Sequence, residues 1–398
     1  MSRKPKLNGI MSLNTLNYER PLIVDIGSST FRCGWAGDDF PDIIVPSIYV
    51  STSDFLFTSD IIDGLEDIFF GTDRKTQMVG SDALKYQNIL RMHEFKKENN
   101  FNVFVKFFQH YYDQLKVPEE LHYKQPIIII TPFVMSEVEK SKIADIFLEF
   151  FKFPSILFIP ETQAILATLQ LSSGVILNIG ESCTYISTIY HGFLNIVARD
   201  VFPIAGEHIT KYLLNLILSR KSTKKGIYLD EMIAREIKEK LSLCVMDPEG
   251  EKKRIKEGLT KYDRMIDLPD GSSLTINFER FELAEPLFHP LLLHIDYIGL
   301  DELIAKVIKS WERENWEELL NSIILSGGGS LIPGLNERFK QELQKHFSEK
   351  LKDKINIIAA SGRENMGWIG ASILYSKGQL NKGWIEKKSN IIEPEMEE

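Results

Sequence analysis

One short turn pattern occurs twice in this chain, 153 positions apart, and it constrains the fold more than any other feature. The first copy is Asp25-Ile26-Gly27-Ser28-Ser29-Thr30-Phe31-Arg32-Cys33-Gly34 and the second is Asn178-Ile179-Gly180-Glu181-Ser182-Cys183-Thr184-Tyr185-Ile186-Ser187. An apolar run precedes each (Leu22-Ile23-Val24, then Val175-Ile176-Leu177), so each reads as strand, tight turn, strand. Two such hairpins, one per half of the chain, can close on a phosphate tail from opposite sides. In the first, Gly27 lets the backbone approach a ligand, while Ser28, Ser29 and Thr30 offer amide and hydroxyl donors. Arg32 adds positive charge, and Asp25 suits the water shell of a magnesium ion. A single turn of this kind reads first as an ordinary hairpin with polar turn residues.

The chain has 398 residues, enough for two domains with full cores. Its net charge of -9 argues against a nucleic-acid binder held by phosphate contacts, which needs a basic face. Cys33, Cys183 and Cys244 lack metal-ligand spacing and sit in apolar stretches, which reads as reduced, buried thiols of a cytosolic protein. The first twenty residues are polar, so no secretory leader is expected, and the most apolar window, 126–132, is too short to span a bilayer. That window predicts a strand buried on both faces.

Strands and helices alternate along the chain, which indicates α/β layers. Residues 22–50 read as a meander of strands and 51–75 as an irregular insertion. Helical spacing occurs within 76–116, notably from Phe101 to Leu115. The strand 126–131 leads to a helix over 136–151 with Ser136 and Glu139 as a capping box. A strand at 155–159, a helix from 161 to about 171 and a strand at 175–179 follow. Amphipathic helices are expected over 206–220 and 228–244, a hairpin over 267–281 turning at Pro269-Asp270-Gly271, and a helix over 302–320. The strand 322–325 enters Ser326-Gly327-Gly328-Gly329-Ser330, a helix starts near 333, and a strand at 355–359 precedes a last helix near 365–377. The acidic tail after Ser389 is expected to fray.

Three further features carry chemistry. Side-chain-free backbone at Gly327, Gly328 and Gly329 can pack against a base or a ribose, although a simple strand-to-helix turn has the same composition. Arg235, Lys238 and Glu239 lie one turn apart on a predicted helix and can present polar ends to an adenosine, or equally form a solvated charged face. Gln163 opens a helix between the two turns, where its amide can orient a water beside a terminal phosphate.

In this order the features resemble those of the actin and actin-related protein family, from about residue 22 to 384 with a weak stretch between 51 and 110. The similar strings are DIGSSTFRCGWAGDDFPDIIVPS, VGSDALKYQNIL, REIKEKLSLCVMD, DLPDGSSLTINFERFELAEPLFHP, IILSGGGSLIPGL and WIGASIL. The resemblance implies an α/β, actin-like ATPase fold: two related α/β domains (four subdomains) around a central nucleotide cleft. The first half is expected over 1–168, with a small inserted subdomain about 49–85, completed by 361–398. The second is expected over 169–360, with a small subdomain about 206–298. ATP or ADP with Mg2+ (or Ca2+) is the implied cofactor. By position, Asp25, Gly27, Ser28, Ser29, Thr30 and Arg32 match the first phosphate loop, and Gly180, Glu181, Ser182 and Cys183 match the second. Gly206, Arg235, Lys238, Glu239 and residues 327–329 match nucleoside contacts. Asp25 and Asn178 would reach the metal through water, and Gln163 matches the glutamine that positions the hydrolytic water.

The departures from the family pattern are specific. Asn178 stands for an aspartate, Tyr185 for a histidine, Arg32 for a lysine and Glu364 for a lysine near the adenine. An amide at 178 cannot supply the negative charge that helps to hold magnesium. Residues 290–299 resemble actin's apolar plug loop, which contacts neighbouring subunits. Implied partners are therefore nucleotide and proteins (actin, actin-like subunits or actin-binding proteins), without direct nucleic acid or a membrane span. The implied setting is cytoplasmic and cytoskeletal, or a nuclear complex. Two functions follow: an ATP-binding protein whose nucleotide state controls conformation, assembly or partners, with slow hydrolysis, or a non-hydrolysing scaffold subunit with ATP as a structural ligand.

Overall fold

The computed structural model describes residues 20–55, 76–87, 89–220, 229–269 and 271–386. Most of the expected insertion at 51–75, the turn residue Asp270 and the acidic tail lie outside the described residues.

The first apolar run forms β1 (Leu22–Ile26), buried at every position except Asp25. It pairs antiparallel with β2 (Thr30–Trp35), which pairs with β3 (Ile43–Pro46). The chain then leaves this sheet: β4 (Ile48–Ser51) pairs with β5 (Gln77–Val79) and β6 (His93–Glu94) in a separate three-stranded sheet. The helix Phe101–Gln114 follows and buries Phe104, Phe107, Phe108, Tyr111 and Tyr112 against Phe31, Phe147 and Phe153. Edge-to-face ring pairs hold this core, each worth about 0.5–1.5 kcal/mol beyond its buried area.

β7 (Ile127–Thr131) is buried at all positions and runs parallel to β1, with β8 (Ser155–Pro160) parallel beyond it. Between them the helix Glu137–Ala144 starts at the Ser136–Glu139 capping box and continues as a π-helical stretch, Asp145–Phe150. The helix Glu161–Leu169 leaves β8 and ends on a left-handed Gln170.

β9 (Gly174–Ile179), β10 (Thr184–Tyr190) and β11 (Phe193–Phe202) repeat the opening meander. The helices Gly206–Leu218 and Glu231–Leu241 follow. A small hairpin joins β12 (Arg264–Asp267) to β13 (Ser273–Ile276). The expected hairpin over 267–281 is thus displaced toward the N-terminus, because Glu279–Glu282 is a short buried helix packed on the helix Gly206–Leu218. The single helix expected over 302–320 is two, Leu300–Lys309 and Trp316–Leu320, divided by a 3-10 turn at Arg313–Asn315. β14 (Ile323–Ser326) pairs parallel with β9 and with β15 (Ile357–Ile358). The helix Met366–Ser376 and β16 (Ile385–Glu386) complete the described chain.

Two mixed sheets result, in the orders β16-β8-β7-β1-β2-β3 and β11-β10-β9-β14-β15. Each has a hairpin opened by the repeated pattern. The helix Met366–Ser376 packs on Glu161–Leu169 so closely that a Cβ on Gly370 would lie 1.7 Å from the Ala164 carbonyl oxygen. Trp368 Nε1 donates to the Ile23 carbonyl oxygen at 3.2 Å, which ties the C-terminal helix to β1. Among the described residues no helix is long and apolar enough to cross a membrane.

Candidate functional site

In both sheets the carboxyl ends of the central parallel strands converge on one cleft, the edge at which α/β sheets commonly present ligand sites. The turn after β1 carries Gly27, Ser28 and Ser29, and the turn after β9 carries Gly180 to Cys183. The same steric reason demands glycine in both. A Cβ on Gly27 would sit 2.4 Å from the Thr30 carbonyl oxygen, and one on Gly180 would sit 2.7 Å from that of Cys183. The turns meet, with Ser28 Oγ 2.5 Å from Ser182 Oγ. Behind them opens a cleft of about 670 Å3, within the range of small-molecule sites.

Most of the residues picked out by sequence line this cleft: Asp25, Gly27, Ser28, Ser29, Thr30 and Arg32 from the first sheet, with Asn178, Gly180, Glu181, Ser182 and Cys183 from the second. Gly206, Lys238, Glu239, Gly327, Gly328 and Gly329 line its other side, together with Glu364. Gly327 adopts a φ of +81°, and its backbone lies so close to β9 that a Cβ would be 2.5 Å from Asn178 Oδ1. Gly328 by contrast faces open space, with no atom within 4 Å of the point a Cβ would occupy.

The floor has an electrostatic pattern that sequence alone did not define. Asp25 and Arg32 face each other across the β1–β2 register, and Arg32 Nη1 donates to Asp25 Oδ2 at 3.0 Å. Arg32 Nε donates to Asn365 Oδ1 at 2.6 Å. The guanidinium expected to neutralise a phosphate is therefore engaged with Asp25 first. In the second hairpin Asn178 faces Tyr185 in the same register position, and both turn to Glu161. Asn178 Nδ2 donates to Glu161 Oε1 at 2.8 Å, and the Tyr185 hydroxyl donates to Glu161 Oε2. Burial, then the nearby Asp25 carboxylate, pushes the Glu161 carboxyl up to about 6. Burial followed by the Glu161 charge pushes the Tyr185 phenol far above its ordinary value, so it remains a donor.

Two residues picked out by sequence lie off the lining of this cleft. Gln163 is exposed and is absent from the cleft lining, whereas Glu161 lines it. Residues two apart on a helix point in nearly opposite directions, so only one of this pair can face the cleft. Arg235 does not line the cleft either. It pairs with Glu94 at 2.7 Å and Glu181 at 2.9 Å, while Lys238 donates to Glu181 at 3.0 Å. Glu181 is consequently turned toward these helix cations. Lys97, at the edge of the cleft, pairs with Glu207 at 2.7 Å, and with Arg235–Glu94 this ties the segment 93–98 to the helices Gly206–Leu218 and Glu231–Leu241.

Sequence reasoning missed Lys96 and Glu161. Glu161 had a usable signal, since it directly follows a strand and Pro160 at a helix start. Lys96 had none: it sits in a short irregular segment before the helix Phe101–Gln114, and its Nζ donates to the Ile26 carbonyl oxygen at 2.7 Å.

Paired hairpins, a shared cleft and a C-terminal helix returning to the first sheet agree with one comparison above all, a match of the family description Actin to residues 17–390. The chain belongs to the actin family. It is 27% identical to an "Actin-like protein" of Neurospora crassa, covering 92% of this chain and 94% of that one. Its identity to "Actin-related protein 2" of Saccharomyces cerevisiae is also 27%, over 94% of this chain and 96% of the relative. A "Putative actin-29" of Dictyostelium discoideum is 27% identical, with 94% of each chain covered. In this actin-family chain the apolar segment after His289 forms a 3-10 turn, Pro290–Leu293, that leaves Leu291 69% exposed.

Proposed function

We infer that this chain binds ATP in the cleft between its two sheets and uses nucleotide state to control its conformation, assembly or partners. One observation carries the reading: two glycine turns, one from each half, meet at 2.5 Å over a cleft of about 670 Å3. Amide and hydroxyl donors on both sides of such a gap suit a polyphosphate. The other end suits a nucleoside. Gly328 leaves its backbone open to a base or ribose, and Glu364 Oε2 is buried without a hydrogen-bond donor, which the exocyclic amine of adenine would supply.

A divalent ion, Mg2+ or Ca2+, fits as a hydrated companion of the phosphates. Among the described residues no group of three or more His, Cys, Asp or Glu is poised to hold an ion directly. Magnesium commonly takes only one or two carboxylates and keeps its waters. Asp25 and Glu161 supply these, and a cation beside them offsets the burial, and then the repulsion from Asp25, that raise the Glu161 carboxyl. Asn178, whose amide nitrogen donates to Glu161, orients that carboxylate and would touch the ion through water. When bound, the ion would neutralise phosphate charge. Arg32 holds the Asp25 carboxylate in place, and the two turns orient the phosphate chain.

The scaffold reading, with ATP held uncleaved inside a multiprotein complex, gains support from Gln163 lying off the cleft and from Glu161 being bonded to Tyr185 and Asn178. Exposed Leu291 and Leu292 suit a protein partner in either reading. The setting is cytoskeletal for the first reading and a cytoplasmic or nuclear complex for the second. Calorimetry on EDTA-stripped protein should register ATP binding, and bound ATP should raise the melting temperature. Absence of both overturns the proposal. Phosphate release with magnesium then separates the two readings.

A further inference from the structure

The cleft contains several cations, and almost all are already committed. Arg32 is paired with Asp25, Lys238 with Glu181, and Lys97 with Glu207. Among the described residues that line the cleft, Lys96 is the cation without an ion pair. Its single hydrogen bond goes to the carbonyl oxygen of Ile26, the residue immediately before Gly27. The ammonium is therefore held at the base of the first glycine turn. An ammonium has three donors, so two remain for a ligand.

The surroundings favour an anion there. The carboxylates of Asp25, Glu139 and Glu161 and the Cys183 thiol lie near enough to act on Lys96 electrostatically. None of the carboxylates reaches ion-pair distance. Glu139 is occupied by the backbone amide and hydroxyl of Ser136, and Glu161 by Asn178 and Tyr185. Withdrawal from water is the larger influence and depresses the ammonium's pKa below its ordinary value. A half-buried cation with one neutral hydrogen bond is costly, and that cost falls when a charged acceptor arrives.

We propose that Lys96 is a direct polyphosphate ligand, supplying from outside both glycine turns the positive charge that Arg32 has committed to Asp25. The proposal rests on the ATP-binding reading above and adds a residue to it. An ammonium acts as a point charge and fits a phosphate oxygen without the planar match that a guanidinium needs.

The test measures affinities for ATP, ADP and adenosine on full-length protein, wild type against Lys96→Gln and Lys96→Arg. Loss of a charge-assisted contact predicts about 10- to 100-fold weaker ATP and ADP binding in K96Q. Adenosine affinity should stay within about twofold in K96Q, since adenosine carries no phosphate. K96R should recover most of the loss. If K96Q binds ATP as tightly as wild type, or loses adenosine and ATP in equal proportion, the proposal is overturned while the ATP-binding reading stands. If wild-type protein binds no ATP, both fall. Reductive methylation of wild-type protein, read by mass spectrometry, gives an answer independent of variant folding. Tripolyphosphate should protect Lys96 and adenosine should not; equal labelling with and without tripolyphosphate overturns the assignment.

Discussion

The two glycine turns share a backbone and differ in charge. In each, a Cβ on the glycine would strike the carbonyl oxygen three residues on, at 2.4 Å for Gly27 and 2.7 Å for Gly180. In each, the residue two before the glycine faces a partner on the next strand. In the first half that pair is Asp25 and Arg32, a salt bridge. In the second it is Asn178 and Tyr185, both neutral and both bonded to a carboxylate from the helix Glu161–Leu169. Backbone geometry thus fixes how closely a ligand can approach each turn, whereas the side chains behind the turn set the charge it would meet. Behind the second turn the negative charge comes from the helix Glu161–Leu169 rather than from the strand itself.

Breaking the shared backbone should have the largest effect. Gly27→Ala and Gly180→Ala each force a main-chain shift, at a cost of up to about 3 kcal/mol in urea denaturation, together with loss of ATP binding. The closer contact makes Gly27→Ala the worse of the two. Equal tolerance of alanine at both sites would show that the turns are not held as described.

Charge comes next. The Glu161 carboxyl is raised to about 6 from 4.5. The folded protein thus holds this proton more tightly than the unfolded chain. The group's penalty is fully present above pH 6, and it disappears as pH falls through the window to 4.5. In metal-free buffer that relief amounts to about 2 kcal/mol. Urea melts across this window should lose that component in Glu161→Gln, and Asp25→Asn should shrink it by removing the neighbouring charge. Asn178→Asp, which restores a strand carboxylate against Glu161, should destabilise the apo protein at neutral pH and make its melting temperature more responsive to magnesium. An unchanged response would argue that the two halves do not divide the charge in this way.

The pairs that join the halves should matter less. Arg235→Ala strands Glu94 and leaves Glu181 with Lys238 alone, and should lower stability by about 1–2 kcal/mol. Lys97 is half exposed in its pair with Glu207, so Lys97→Ala should cost below about 1 kcal/mol and less still at high salt. Smallest of all, Gln163→Ala should leave ATP affinity within about twofold, because Gln163 is exposed and lies off the cleft lining. A larger loss in that variant would return Gln163 to the site.

Much of this architecture is legible in the chain's local signals. The continuous apolar runs, the helical spacing of 101–115, the Ser136–Glu139 cap and the glycines before each polar turn are local signals, set by backbone sterics and by hydrogen bonds between near neighbours. They locate the hairpins, the buried strand Ile127–Thr131 and the helix Phe101–Gln114. Order along the chain is enough to suggest the family. The displaced hairpin at Arg264–Ile276 and the divided helices before Leu320 depend on tertiary burial, which local propensity does not encode.

Sequence alone determined which backbones could approach a ligand, since a glycine where any Cβ collides is a constraint written into one residue and its near neighbours. Tertiary structure alone decided which charges face that ligand. Glu161 displaces Gln163 by helical phase, Arg235 is drawn onto Glu94 and Glu181, and Lys96 reaches a carbonyl 70 positions earlier in the chain. Long side chains reach several ångströms in any direction, so their partners are chosen by packing between distant segments rather than by spacing within one.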